Sequence, residues 1–215
     1  GAVLHARSIV IWTDVDGVMS ADPNRVPDAT IIHELSYNEA MELAYFGAKV
    51  IHPQTMSPAV DLHIPIYIKN SFNPEAHGSK ISADAQSSLS IKGLTTVSNV
   101  ALINLEGSGM IGVPGTADRL FGALREAQIS VILISQASSE HSICFAVPEL
   151  MADDADKVIR EAFAGELEQN QIQSIEVRHA CSVIAVVGDG MAGIPGIASR
   201  FFSALGKAGI SVNAI

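Results

Sequence analysis

The feature that most constrains this chain is an internal repeat. Gly112-Val113-Pro114-Gly115 recurs as Gly193-Ile194-Pro195-Gly196, an offset of 81 residues. The same offset aligns Gly109-Met110 with Gly190-Met191, Arg119 with Arg200, Phe121 with Phe202, Ala123-Leu124 with Ala204-Leu205, and Ile129-Ser130-Val131 with Ile210-Ser211-Val212. A register held over that distance marks a duplicated structural unit. Each copy reads strand, glycine-rich corner, helix, strand. In the first copy the strands are 101–105 and 130–134, and the helix 116–127 gathers Leu120, Leu124 and Ala127 on one face. Strand 142–147, helix 155–164 and strand 174–177 complete a βαββαβ order, the ferredoxin-like arrangement. The second copy reaches only strand, helix and strand by residue 215, so it is expected to be incomplete.

The first part of the chain has a different pattern. Residues 2–7 read as a helix end, and 8–12 as a buried strand followed by turn-rich loops at 13–17 and 20–24. Ser36 with Glu39 forms a capping box ahead of a helix at 37–46, which Gly47 would stop. A short helical stretch at 59–62 and a strand at 64–70 follow. Residues 71–91, rich in Ser, Gly, Asn and Pro, read as a linker. The predicted organisation is an α/β piece (1–85), an α+β unit (86–180) and a partial second unit (181–215). Both ends fall inside a pattern, so a fragment of a longer protein is expected.

Composition removes several classes of function. With 48% hydrophobic residues the chain can bury a core, and its net charge of −10 disfavours nucleic acid and anionic membranes as partners. No apolar run reaches the roughly 18–20 residues that span a bilayer. Cys144 and Cys181 sit in separate apolar runs, which favours buried thiols in a reducing cytosol over a disulfide framework.

The repeated corner carries the candidate chemistry. Pro114 suits a first helical turn, and Gly112 and Gly115 let a ligand approach the backbone. Unpaired N–H groups at the helix start would attract an anion such as an amino-acid carboxylate. Residues 131–134, Ile132 among them, would supply an apolar wall, and Gln136 a neutral amide. No acidic residue lies in 131–135, which disfavours a cationic ligand such as lysine. The residues alone also allow, and by themselves favour, a tight turn that binds nothing. Asp14, Asp16 and Asp22 read as turn-capping carboxylates, so no metal site is expected. His52 reads as a packed or capping imidazole, and Asp153, Asp154 and Asp156 as a favourable helix start. Glu140-His141 could orient a ligand-side loop or form a turn ion pair.

Specific motifs now point to a family. Trp12-Thr13-Asp14-Val15-Asp16-Gly17-Val18, Ala21-Asp22-Pro23 and Gly47-Ala48-Lys49-Val50-Ile51-His52-Pro53 resemble the C-terminal part of an aspartate kinase domain. Val113-Pro114-Gly115-Thr116-Ala117 and the segment Ile134-Ser135-Gln136-Ala137-Ser138-Ser139-Glu140-His141-Ser142 resemble the tandem ACT regulatory domains that follow it. Their wording is closest to the bifunctional aspartokinase–homoserine dehydrogenases. The resemblance implies ATP-dependent phosphorylation of the aspartate β-carboxylate in a full-length enzyme that uses ATP with Mg2+. It places Thr13, Asp14, Met19, Asn24 and Lys49 at the nucleotide, although the family often has Tyr at Met19 and Arg at Asn24. It implies an effector site of Met110, Gly112, Val113, Pro114, Gly115, Thr116, Ala117, Ile132 and Gln136, with threonine favoured, and a homo-oligomer joined through ACT domains. No catalytic residue is expected in this chain, because the family's Lys-Phe-Gly-Gly start and aspartate-binding residues are absent. The fragment alone is therefore expected to be inactive and to hold no bound cofactor.

Three functions compete at this point. One is a piece of an allosteric kinase, the second an amino-acid-binding module that regulates a partner in trans, and the third a dimerisation unit whose corners bind nothing.

Overall fold

The computed structural model describes residues 1–45, 51–85, 89–136 and 141–215. The chain divides into two compact units, Gly1–Thr96 with Ile184–Ala208, and Val97–Val183 with Gly209–Ile215.

In the first unit, β1 (Ile9–Thr13), β2 (Glu34–Leu35), β3 (Ile66–Asn70) and β4 (Ser79–Ile81) form a sheet in the order β1-β3-β4-β2. β1 and β3 run parallel with Thr13 opposite Asn70, so both strands end at the same edge. The unit's helices include α1 (Tyr37–Tyr45) and α2 (Pro53–Asp61). The capping box forms as expected: Ser36 N–H donates to Glu39 Oε2 at 2.9 Å, and Glu39 N–H to Ser36 Oγ at 3.1 Å. α2 starts well before the expected 59–62, because Pro53 occupies its first turn, where no N–H is needed. His52 precedes it with an exposed imidazole that caps nothing, contrary to expectation. Leu35, Leu43, Met56, Ile68 and Ile81 form the centre of the core.

The linker reading of 71–91 is corrected here. Within that stretch β4 pairs antiparallel with β3 and parallel with β2, and Ser79 and Ile81 are fully buried. The Ser79 hydroxyl donates to the Ile32 carbonyl at 2.6 Å and accepts Val18 N–H at 2.9 Å. A very short strand between turns has the same composition as a linker, so composition could not separate the two.

The remaining elements are β5 (Gly93–Glu106), α3 (Thr116–Glu126), β6 (Leu133–Gln136), β7 (Ser142–Pro148), α4 (Ala152–Ala162), α5 (Ala164–Glu168), β8 (Ser174–Val187) and α6 (Ile197–Lys207). The sheet order β6-β7-β5-β8 with α3 and α4 as crossovers is the ferredoxin-like topology predicted for the first copy. One sheet face packs Ile103, Leu105, Ile143, Phe145 and Val147 against Leu120 and Leu124 of α3, Ile159 of α4, and Phe163. The other face carries a smaller cluster of Val100, Leu102 and Ala146. β6 begins later than the predicted 130, since the bond from Ile132 N–H to the Ala146 carbonyl opens its pairing with β7. Residues 210–215, predicted as a strand, form no ladder. Side chains hold them instead: Ser135 Oγ donates to the Ile215 carbonyl at 2.7 Å, and Arg178 to Asn213 Oδ1 at 3.0 Å.

The repeat extends further in structure than in sequence. β5 and β8 are both 14 residues long and lie at the repeat offset, yet they share only Ile103/Ile184. Each passes through the left-handed region at the equivalent residue, Asn99 at φ 58° and Ala180 at φ 53°. At one end Lys92 N–H donates to the Val187 carbonyl, and at the other Gln173 N–H donates to the Glu106 carbonyl, both at 2.8 Å. These two bonds are the same bond in the two copies.

Candidate functional site

The repeated corner is a type II turn. Gly115 has φ 87° and ψ −1°, and Gly196 has φ 89° and ψ −7°, near the roughly +80°, 0° that the third turn residue needs and that favours glycine. Pro114 is the second turn residue and lies ahead of α3, not inside its first turn as expected. A Cβ on Gly115 or Gly196 would meet nothing within 4 Å, so glycine is required by the backbone angle and not by crowding. Bonding repeats as well. Val113 N–H donates to the Met110 carbonyl at 3.1 Å, and Ile194 N–H to that of Met191 at 3.2 Å.

The corner delivers an uncapped helix start. Gly115, the N-cap of α3, has no side chain to offer, and the Thr116 hydroxyl turns back to the Val113 carbonyl at 3.1 Å. The first-turn amides thus face outward with the positive end of the helix dipole. Beside them is a cleft of about 390 Å³ lined by Met110, Gly112, Val113, Pro114, Gly115, Thr116, Ala117, Gln136 and Ile143. Eight of these were singled out from the sequence. Ile132 was too, but it is not in the lining; it packs against Val100, Leu102 and Ala146 on the other sheet face. Ile143 was missed, though it pairs with Gln136 across β6 and β7, and the hairpin register held that information.

The cleft's described lining has no charged side chain. Arg119, one turn into α3, is engaged elsewhere: it pairs with Glu166 and lies 4.1 Å over the Phe163 ring. The Arg119 hydrogen bond holds the Glu166 carboxyl below its usual range, against the upward push of burial. Glu140 lies outside the described residues, and His141 faces Glu106 at 3.3 Å.

Of the residues expected at a nucleotide, Thr13, Asp14, Met19 and Asn24 lie on or beside one loop. Thr13 ends β1 and donates to Asp14 Oδ1 at 3.1 Å. Met19 bridges to Ile31 across the loop. Asn24 donates its backbone N–H and its Nδ2 to Asp22 Oδ1 at 3.0 and 3.1 Å. Asp16 Oδ1 accepts from Asn70 Nδ2 at 2.8 Å and from Asn73 Nδ2 at 3.4 Å, which clamps the loop's first turn at the carboxyl edge of β1 and β3. Asp22 thus serves its own turn as expected, whereas Asp16, expected to cap a turn, instead ties the loop to Asn70 and Asn73 across the chain. Lys49 and Gly47 lie outside the described residues. Among the described residues no three His, Cys, Asp or Glu side chains gather as metal ligands.

A buried ion pair was not found from sequence. Lys92 Nζ lies 2.6 Å from Glu39 Oε2, and Glu39 Oε1 accepts the N–H of Asp189, at the second corner, at 2.9 Å. At the equivalent place in the first copy, Ser108 N–H donates to Gln173 Oε1 at 2.9 Å. The clue was a lysine inside the apolar run Ile91–Leu94.

The amino acid kinase family matches residues 1–70, and an ACT domain family matches residues 103–163 and 184–215. The whole chain is 49% identical to bifunctional aspartokinase/homoserine dehydrogenase 2 of Arabidopsis thaliana, of which it covers 24%. It is 53% identical to the bifunctional aspartokinase/homoserine dehydrogenase of Haemophilus influenzae, of which it covers 26%. It therefore spans about a quarter of those relatives. Among solved structures, the aspartate kinase of Clostridium acetobutylicum superposes with a TM-score of 0.84 at 30% identity, over 96% of this chain and 47% of that one. E. coli aspartokinase III, solved with lysine and aspartate, gives 0.71 at 31% identity, over 95% and 44%. By sequence over its entire length and by fold, the chain belongs to the aspartate kinase family, as the end of an amino acid kinase domain joined to ACT repeats.

Proposed function

We propose that the full-length protein carrying this chain phosphorylates the β-carboxylate of L-aspartate with ATP, and that the first corner binds threonine as a feedback inhibitor. The observation that carries the effector half is the cleft beside α3, with outward-facing amides, one neutral amide side chain, Gln136, and apolar walls. Its volume of about 390 Å³ is near the lower end of the roughly 300–1,000 Å³ typical of small-molecule sites. The amides suit the carboxylate of a zwitterion. Gln136 can both donate and accept, which suits a hydroxyl or an ammonium. The uncharged lining favours a neutral side chain over that of lysine.

The catalytic half rests on the loop at the carboxyl edge of β1 and β3, the edge where open α/β sheets take ligands. Thr13, Asp14, Met19 and Asn24 are there, and we assign them, with Lys49, to the nucleotide, which would arrive with Mg2+. The chain alone is inactive in this reading, and its ACT units join copies into a homo-oligomer. The free thiols of Cys144 and Cys181 suit a reducing compartment such as the cytoplasm.

Calorimetric titration of threonine into the full-length protein tests the effector reading. Gln136→Ala is expected to weaken threonine binding about tenfold, the loss of one well-made polar contact. Unchanged affinity would remove Gln136 from the site. An alternative reading, a binding module acting in trans, is favoured if the full-length protein binds threonine but phosphorylates no aspartate.

A further inference from the structure

The ion pair of Lys92 and Glu39 has no part in either site just described, yet it is one of the most deeply buried polar features of the molecule. The two side chains are 4% and 2% exposed. Glu39 Oε2 also accepts Ser36 N–H at 2.9 Å, and Lys92 Nζ also donates to the Glu34 carbonyl at 2.9 Å. Burial pushes the Glu39 carboxyl up, but the Lys92 ammonium and the N–H groups of Asp189 and Ser36 outweigh it and hold the group below its ordinary value. Charges this buried are retained only when well paired, and removing either partner leaves the other stranded.

The pair stands immediately before β5, and the first residues of β5 hold the loop assigned to the nucleotide. Leu94 N–H donates to the Ser20 carbonyl at 2.8 Å, and Arg25 Nη1 donates to Thr96 Oγ1 at 3.3 Å. A Cβ on Gly93 would stand 3.0 Å from the Ser20 carbonyl oxygen, so the loop lies directly on the strand. Ser79 closes the neck of the same loop between Val18 and Ile32. Besides the Asp16 clamp at its first turn, the loop has two further anchors: a hydroxyl at its neck and the start of β5 along its length. Lys92, paired with Glu39, directly precedes the second anchor, and Asp189 brings the second corner to the same carboxylate.

We propose that Lys92 and Glu39 are positioning residues for the nucleotide loop: the pair fixes where β5 begins, and β5 fixes residues 20–25 through Leu94 and Thr96. The proposal rests on the assignment of this loop to ATP. The Glu39 carboxylate joins Lys92, the residue before β5, to the second corner at Asp189. A merely structural pair would alter stability and leave substrate selectivity unmoved. A positioning pair shifts the kinetic constant of one substrate.

The test uses the full-length protein. The double variant E39Q/K92Q keeps hydrogen-bonding amides in place of both charges, as Gln173 does at the equivalent position of the first copy. It is expected to raise KM for ATP about tenfold while KM for aspartate moves less than about twofold. Thr96→Val cuts only the exposed link to Arg25 and is expected to raise KM for ATP about threefold, again without moving KM for aspartate. An unchanged KM for ATP in the folded double variant, or equal changes for both substrates, overturns the proposal. If the double variant does not fold, an unchanged KM for ATP in Thr96→Val overturns it. Lack of aspartate phosphorylation by the wild type overturns the functional reading, and this proposal with it; a normal wild type beside unresponsive variants overturns the proposal alone.

Discussion

The two glycine corners share a backbone and differ in what holds them. Turn angles, the 3₁₀ turn before each corner and the helix after it coincide in the two copies. At the first corner a neutral, exposed amide, Gln173, satisfies Ser108 and also donates to the Ser108 hydroxyl at 3.0 Å. At the second, Lys92 stands where Gln173 would, and Glu39 from α1 supplies the acceptor. The first corner is held by its own copy; the second is held by a helix of the kinase part. The two copies share the angles that only glycine adopts easily and differ at one hydrogen-bonding position, an amide in the first and an ammonium in the second. That single difference turns a local cap into a link between domains of different origin.

The largest expected effect breaks the charged side of the comparison. Lys92→Met strands Glu39 and should cost about 3–5 kcal/mol in urea unfolding, whereas Gln173→Leu, at an exposed bond, should cost about 1 kcal/mol. Equal costs would mean that the two caps are energetically alike. The next effect sharpens the shared side. Gly115→Ala and Gly196→Ala each force a Cβ into the left-handed region without any clash, so each should cost about 1–2 kcal/mol and by the same amount. A cost at one corner alone would show that the repeat is not energetically symmetrical.

The smallest effect is in acid. Glu39 has a folded pKa below its ordinary 4.5, so its contribution is full above about that pH and is lost as pH falls through the lowered value. Glu39→Gln should therefore flatten the acid limb of the stability profile below about pH 4.5 relative to the wild type. A parallel limb would mean that the carboxylate is not stabilised by its partners.

Much of this fold was legible because its signals are local. The capping box at Ser36–Glu39 formed as read, and the offset of the two corners gave the βαββαβ order without any alignment to other proteins. The corner residues lining the cleft were legible for the same reason, since turn chemistry fixes their neighbours. What escaped depends on pairing over distance. β4 is too short to show a period, and its burial comes from β2 and β3 on either side. The matching bend at Asn99 and Ala180 has no shared residue to announce it. Ile132 was expected beside Gln136, but the strand starts at Leu133 and Ile132 packs on the other side of the sheet. Glu39 was visible as a helix cap, yet its second partner is 53 residues away and its third 150.

In the proposed function the first corner opens its amides to a small zwitterion. Amide hydrogen exchange on the full-length protein, with and without threonine, tests it most directly. Slowed exchange is expected for Thr116, Ala117 and Asp118, lost in Gln136→Ala. Unaltered exchange at those three amides under saturating threonine would contradict it.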